Sequence, residues 1–356
     1  MNFRTEKRRI VALAEGQFDF KNAKTACGVI RYGFHNVVAV IDRTKSGKTV
    51  EDVVPGIGSS APIVSSLEQT LKWKPDCLLI GVAPRGGGLP PEWKEIILRA
   101  IAAGCHIYSG LHIPLSSDPE ISAMAKKHDR IIWDIRKPEP PLPVALGKAA
   151  KARSFIVETV GTDCAVGKMT ASLEILRGLR KKGVSCEFIA TGQTGMIISG
   201  WGQPVDAIPG DFMAGVVERE VMKLDGKVDV ILVEGQGSLI HPGYSSVTMA
   251  ILHGAAPDAL ILCHQSTRLE VARGYKIPIP PLKEAAGMYE TAAGWIKPAP
   301  TIAVALNTFG LEETAARRAI EESANESEFP TADPVRFGSN IIVDAIVQSM
   351  EKYIQL

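Results

Sequence analysis

The sequence predicts an α/β protein of two domains, each built on a mostly parallel sheet, and three observations predict it. Short apolar runs rich in β-branched residues alternate with longer stretches of helical periodicity, the pattern produced when crossover helices join parallel strands. The chain has 356 residues, more than one hydrophobic core usually organises at ~100–200 residues per domain. A proline cluster, KPEPPLPVALGKAAKA from Lys137 to Ala152, cannot continue a helix or a central strand and favours an extended spacer.

The first half is expected to be Rossmann-like. Its first strand is Ile10–Ala14, closing on Glu15 and Gly16. A helix around Ala23–Tyr32 follows, then strands at Val37–Ile41 and Cys77–Val82. A helix from Pro91 to Ala103 starts on prolines that suit a first turn and stops at Gly104. Strands at His106–Ser109 and Ile131–Asp134 complete a domain of residues 1–137. After a linker of residues 138–152, a second domain of residues 153–356 begins with the strand Ser154–Val160 and a helix from Lys168 to Lys182. Further strands are predicted at Cys186–Ala190, Val228–Val233, Ala259–Cys263 and Thr301–Leu306.

With 46% hydrophobic and 22% charged residues, nothing in the composition favours disorder. A net charge of +1, with no basic stripe interleaved with aromatics, argues against a nucleic-acid partner. Met1 to Arg9 is polar and basic, and Ile10–Ala14 is too short for a signal sequence. No apolar stretch reaches membrane-spanning length, so a cytoplasmic protein is expected. The six cysteines show no metal-ligand spacing and read as reduced thiols.

The segment that carries chemistry is Gly161-Thr162-Asp163-Cys164-Ala165-Val166-Gly167-Lys168-Met169-Thr170. A strand, a glycine-bounded loop and a lysine opening a helix are the parts of a phosphate-gripping P-loop. Loop amides and the helix dipole converge on an anion, and the lysine adds a mobile positive charge. One position departs from the usual signature. Met169 stands where a hydroxyl residue normally ligates Mg²⁺, and a thioether is a poor ligand for that hard cation. No metal site is therefore expected, while the grip on phosphate is unaffected.

GTDCAVGKMT, followed by ILVEGQGSL at Ile231–Leu239, resembles the paired motifs of the dethiobiotin synthetase and MinD-like branch of P-loop proteins. The whole chain further resembles the DUF1611 family, members of which are described as D-glutamate N-acetyltransferases using acetyl-CoA. That resemblance implies a transferase whose P-loop holds the phosphates of coenzyme A.

Other candidates lie at predicted carboxyl ends of strands, where open α/β sheets bind ligands. Glu234 is the first choice for a catalytic acid or base, with Asp206 and His241 beside it, although a lone histidine near a helix start is more often structural. Arg85, in PRGGG, suits a substrate carboxylate, and Arg268 suits a substrate carboxylate or a phosphate or reads equally as a surface ion-pair partner. Gln193, Gln236 and Ser238 are expected substrate contacts, and Asp211 reads either as a helix N-cap or as an ammonium partner. The implied reaction is acetyl-CoA-dependent N-acetylation of a small acidic amino acid such as D-glutamate. The rivals are an ATP and Mg²⁺-dependent ligase or kinase of dethiobiotin synthetase type and a MinD-like nucleotide switch. The expected partners are a small-molecule substrate and further copies of the chain, with neither nucleic acid nor membrane.

Overall fold

The computed structural model describes residues 3–82, 89–272 and 274–354. The chain divides into two compact units, one of Met1–Pro138 with Gly192–Ala207 and one of Glu139–Thr191 with Ile208–Leu356.

The first unit holds six parallel strands: β1 (Arg9–Leu13), β2 (Asn36–Ile41), β3 (Ile63–Val64), β4 (Cys77–Ile80), β5 (His106–Ser109) and β6 (Ile132–Asp134). They lie in the order β3-β2-β1-β4-β5-β6, the dinucleotide-fold arrangement that the sequence reading called Rossmann-like. β1 and β4 are covered on both faces, and their residues Ile10–Leu13 and Cys77–Ile80 are at most 1% exposed. Unbroken apolar runs rather than alternation are what doubly covered parallel strands require. Helices α1 (Lys24–Tyr32), α2 (Val50–Val53), α3 (Pro91–Ala102) and α4 (Pro119–Lys127) connect them. α4 starts on Asp118, whose carboxylate accepts the Glu120 and Ile121 amides. β3 is only two residues long, too short to register as a periodic pattern.

The second unit is also one parallel sheet. Its strands are β7 (Phe155–Gly161), β8 (Cys186–Ile189), β9 (Val230–Val233), β10 (Ala259–Gln265), β11 (Thr301–Asn307) and β12 (Thr331–Ala332), ordered β12-β11-β10-β7-β9-β8. The connecting helices are α5 (Lys168–Lys181), α7 (Gly210–Leu224), α8 (Ser245–Ala255), α9 (Leu282–Gly294), α10 (Glu313–Ser327) and α11 (Asn340–Ile354). Ile342, Val343 and Ile346 of α11 are fully buried as it packs on β11 and α5. Among the described residues, no helix is long and apolar enough to cross a membrane.

Two segments differ from the expected organisation. Residues 138–152 do not form a free spacer. The Leu146 and Lys148 amides donate to Glu218 of α7 at 2.9 and 2.5 Å, and Arg219 of α7 reaches the carbonyls of Glu139 and Pro141. The close approach needs Gly215, where a Cβ would come within 1.9 Å of the Pro143 carbonyl. Proline sterics predicted an extended chain, but the buried carboxylate that pins it lies about 70 residues downstream.

The second difference is the stretch 192–207, expected in the P-loop domain. Its helix α6 (Gln193–Ser199) packs on α1 of the first unit, burying Met196, Ile197 and Ile198. Thr194 Oγ1 lies 3.0 Å from Thr25 Oγ1. Local periodicity shows that a helix has an apolar face but not which core receives it.

Candidate phosphate-binding site

β7 runs at the middle of its sheet between β9 and β10 and ends at Gly161. Side chains fill the space beneath that residue: a Cβ there would sit 3.0 Å from both Lys168 Nζ and Val166 Cγ2. The loop turns back through Ala165 (φ +57°) and Gly167 (φ +117°) into α5. Gly167 is the N-cap and offers no side-chain acceptor. Gly167 therefore caps none of the first-turn amides of α5, and the helix dipole adds positive potential where they emerge.

Lys168 curls back over this loop. Its Nζ donates to the Asp163 carbonyl at 2.9 Å and the Gly237 carbonyl at 2.7 Å, and the residue is 7% exposed. Burial pushes its pKa down, against the opposing pull of Cys263, Cys164, Asp163 and Glu234. An ammonium held by carbonyl oxygens is poised to exchange them for an anion.

The surrounding contacts keep the loop in shape. Asp163 is fully buried and accepts from the Cys164 amide at 2.6 Å, the Ala272 amide at 2.8 Å and Arg268 Nη1 at 2.5 Å. Thr162 Oγ1 lies 2.8 Å from His264 Nδ1, and Asn307 Nδ2 donates to the Val166 carbonyl at 3.2 Å. Tyr289 Oη donates to the Gly161 carbonyl at 2.7 Å. Burial, with the charge of Arg268 next, lowers the His264 pKa to about 4, so its ring is neutral.

The segment after β9 forms the second wall. Gly235 passes so close to β7 that a Cβ would meet the Thr159 carbonyl at 1.8 Å. Glu234 is 7% exposed, and its Oε2 accepts the Thr191 amide at 3.0 Å. Gln236 Nε2 donates to the Thr191 carbonyl at 2.5 Å. The Ser238 hydroxyl donates to the Thr162 carbonyl at 3.0 Å, which engages it within the loop rather than toward a substrate. His241 is 1% exposed, and its Nδ1 accepts the Gly243 amide at 3.1 Å.

The candidates thus separate into groups. Glu234, Gln236, Ser238, His241 and Arg268 gather around the loop within the second unit. Arg268, read as a contact to a substrate carboxylate or phosphate or as an ion-pair partner, pairs with Asp163. In the first unit, Arg136 Nη1 donates to Gln193 Oε1 at 3.3 Å and Nη2 lies 2.8 Å from Asp206 Oδ2. Asp211 is exposed in the first turn of α7, where the N-cap is Pro209, so its N-cap reading is corrected. Arg85 lies outside the described residues.

Sequence reasoning missed Arg136 and Glu158. Arg136 stands two residues past the end of β6, and that placement at a strand's carboxyl end was the available signal. Glu158, in the middle of β7, is fully buried with both carboxylate oxygens lacking a hydrogen-bond partner among the described residues. Desolvation raises its pKa well above the ordinary carboxyl range, only partly opposed by Lys168. An acid inside an apolar strand was the signal, overlooked because the run around it reads as core.

Fold and loop together define a two-domain α/β protein of the P-loop class. Residues 143–343 match the P-loop domain of DUF1611, described as a domain of unknown function, and residues 43–138 match the Rossmann-like DUF1611_N domain. The chain belongs to the DUF1611 family. A D-glutamate N-acetyltransferase of Tritonibacter scottomollicae is 37% identical over 82% of this chain and 88% of its own length. One from a Pseudoalteromonas species is 33% identical over 76% and 80%. The crystal structure of a DUF1611 protein from Anabaena variabilis superposes with a TM-score of 0.92 at 39% identity, covering 96% of this chain and all of that one.

Proposed function

We propose that the protein is an N-acetyltransferase that moves an acetyl group from acetyl-CoA to the amino group of a small acidic amino acid such as D-glutamate, with its P-loop holding the coenzyme's phosphates. The relatives' names support the reaction class. The observation that carries the phosphate role is Lys168, whose Nζ is turned onto the loop carbonyls of Asp163 and Gly237 while Met169 stands in the Mg²⁺-ligand position. Such a nest suits an anion that is gripped and not cleaved, because phosphoryl transfer leans on a metal that a thioether does not hold.

The residues present fit that group. Uncapped first-turn amides, the Lys168 ammonium and the space kept by Gly167 would receive phosphate oxygens. The coenzyme supplies an acetyl thioester. In the transfer the acceptor nitrogen bonds to the acetyl carbon, the carbon–sulfur bond breaks, and the amine gives up a proton. Glu234 is the proposed acceptor of that proton, with one oxygen held by the Thr191 amide.

Calorimetric titration of CoA, acetyl-CoA and ATP with and without Mg²⁺, alongside an assay for thiol release with D-glutamate, tests this reading. Metal-independent binding of CoA and acetyl-CoA, weakened by about ten- to hundredfold in Lys168→Ala, together with D-glutamate-dependent thiol release is expected. Binding of ATP that requires Mg²⁺, with no binding of CoA, would overturn it in favour of the ligase or kinase.

A further inference from the structure

We propose that Arg336 reads the 3′-phosphate of the coenzyme, so that the site distinguishes coenzyme A from its dephospho form and from nucleotides that lack that group. This rests on the phosphate loop holding the coenzyme's diphosphate, as in the reading above, and not on the chemistry of acetyl transfer.

The two loops that carry this subsite follow β11 and β12, and one buried acid ties them together. Asp333 is 2% exposed; its Oδ2 accepts the Thr308 amide at 3.0 Å and the Thr308 hydroxyl at 2.6 Å. Its Oδ1 accepts the Val335 and Arg336 amides, each at 3.0 Å. The loop after β11 is in turn joined to the phosphate loop. Asn307 Nδ2 donates to the Val166 carbonyl at 3.2 Å and lies 3.8 Å from where a Cβ on Gly167 would stand. Backbone held in this way presents its side chains from a fixed place beside the anion nest.

Arg336 is exposed, and its guanidinium is engaged through one nitrogen. Nη1 donates to the Thr308 carbonyl at 3.2 Å and the Leu311 carbonyl at 2.8 Å, with the Thr308 hydroxyl at 3.3 Å. Among the described residues, Nε and Nη2 make no hydrogen bond and the group forms no ion pair. The carbonyls fix the guanidinium, and its remaining N–H edge has the fork geometry that matches two phosphate oxygens.

The charges around it point to an anion as well. Arg317 and Arg336 sit against one ring, with Cζ atoms 4.2 and 5.4 Å from the Phe337 centroid. Like charges gathered at one ring repel. Arg317 pairs with Glu313, but the two side chains are 58% and 65% exposed, so that carboxylate offsets little. Asp333 is fully engaged by the four loop donors. A dianionic phosphate is the counter-charge this place lacks.

Phe309 and Val335, 60% and 37% exposed, stand on the same two loops. Apolar surface beside a cationic fork suits a nucleoside that carries a phosphate better than a bare inorganic anion. In coenzyme A the ribose alone separates the 3′-phosphate from the 5′-diphosphate, so a coenzyme held by its diphosphate carries the 3′-phosphate into the loops next to the nest. ATP has a hydroxyl at that position and offers Arg336 no charge.

Calorimetry on the full-length protein with CoA, dephospho-CoA and inorganic pyrophosphate tests the assignment. The wild type should bind CoA about ten- to hundredfold more tightly than dephospho-CoA, the effect of one charge-assisted contact. Arg336→Gln, whose amide can still donate to the Leu311 carbonyl, should bring the two affinities within about twofold while leaving pyrophosphate and dephospho-CoA binding unchanged. Arg336→Lys, which keeps the charge without the fork, should fall between them and guards against a loop loosened by the first substitution. Equal wild-type affinities for CoA and dephospho-CoA overturn the proposal, and so does a preference undiminished in both variants. If the wild type binds pyrophosphate without preferring CoA, the phosphate grip stands and this inference alone fails; if it binds no pyrophosphate, both fail.

Discussion

Arg268 Nη1 lies 2.5 Å from Asp163 Oδ2, and the aspartate is fully buried beneath the loop that the arginine closes. An aspartate at the third position of a phosphate loop would repel the loop's own ligand if its charge stood alone. Pairing with Arg268 neutralises it and fixes the Cys164 amide through the other carboxylate oxygen.

Removing one partner of a buried pair leaves an uncompensated charge. Arg268→Ala should therefore lower stability by about 2–3 kcal/mol, discounted because the arginine side chain is 22% exposed. The measurement is the urea midpoint at unchanged m-value, and an unshifted midpoint would show that the pair contributes nothing.

Lys168→Ala should weaken CoA binding by about ten- to hundredfold, the loss of a charge-assisted contact worth about 1.5–3 kcal/mol. Stability should hold or rise, because the variant no longer buries an ammonium whose pKa desolvation lowers. Calorimetry and thermal melting separate the two effects.

Gly235→Ala should destabilise the second unit by about 2 kcal/mol or more, since its Cβ would overlap the Thr159 carbonyl at 1.8 Å. A substitution of Gly210, with nothing within 4 Å of its Cβ position, is the matched control. Equal melting temperatures for the two variants would refute the close approach.

Glu158 makes stability fall with rising pH. Its folded pKa is raised, so the unfolded chain loses the proton first, from about pH 4.3 upward, and the native state is penalised until its own carboxyl ionises. Glu158→Gln should stabilise the protein at pH 7 and flatten the dependence between pH 5 and 8. Urea unfolding across that range checks it, and parallel curves for the two proteins would exclude the effect.

His264 acts in the opposite direction. With its folded pKa lowered to about 4 by burial, the unfolded chain takes up a proton first as pH falls below about 6.5. Stability should drop from there down to about pH 4, and His264→Asn should remove that part of the acid sensitivity while losing the bond to Thr162.

Much was legible from one dimension. The strand ending near Val160, the glycines at 161 and 167 and the lysine at 168 announced the loop because strand, turn and helix signals are local. The substitution of Met169 for a hydroxyl residue was readable in the same way. Less local relations were not: Arg268 was left open between a ligand and an ion pair, with nothing to single out Asp163, 105 positions away, as its partner, and Asp211 was weighed as an N-cap where Pro209 holds that place.

By itself, the order of residues determined the α/β alternation, the two sheets and the phosphate loop, because hydrophobic period and turn chemistry act over a few residues. Only the tertiary structure decided that residues 192–207 belong to the first unit, that the proline segment is pinned to α7 and that Glu158 is buried with no hydrogen-bond partner among the described residues. Those outcomes depend on which distant surface meets an apolar face or a carboxylate, and nothing within a short window of sequence encodes that meeting.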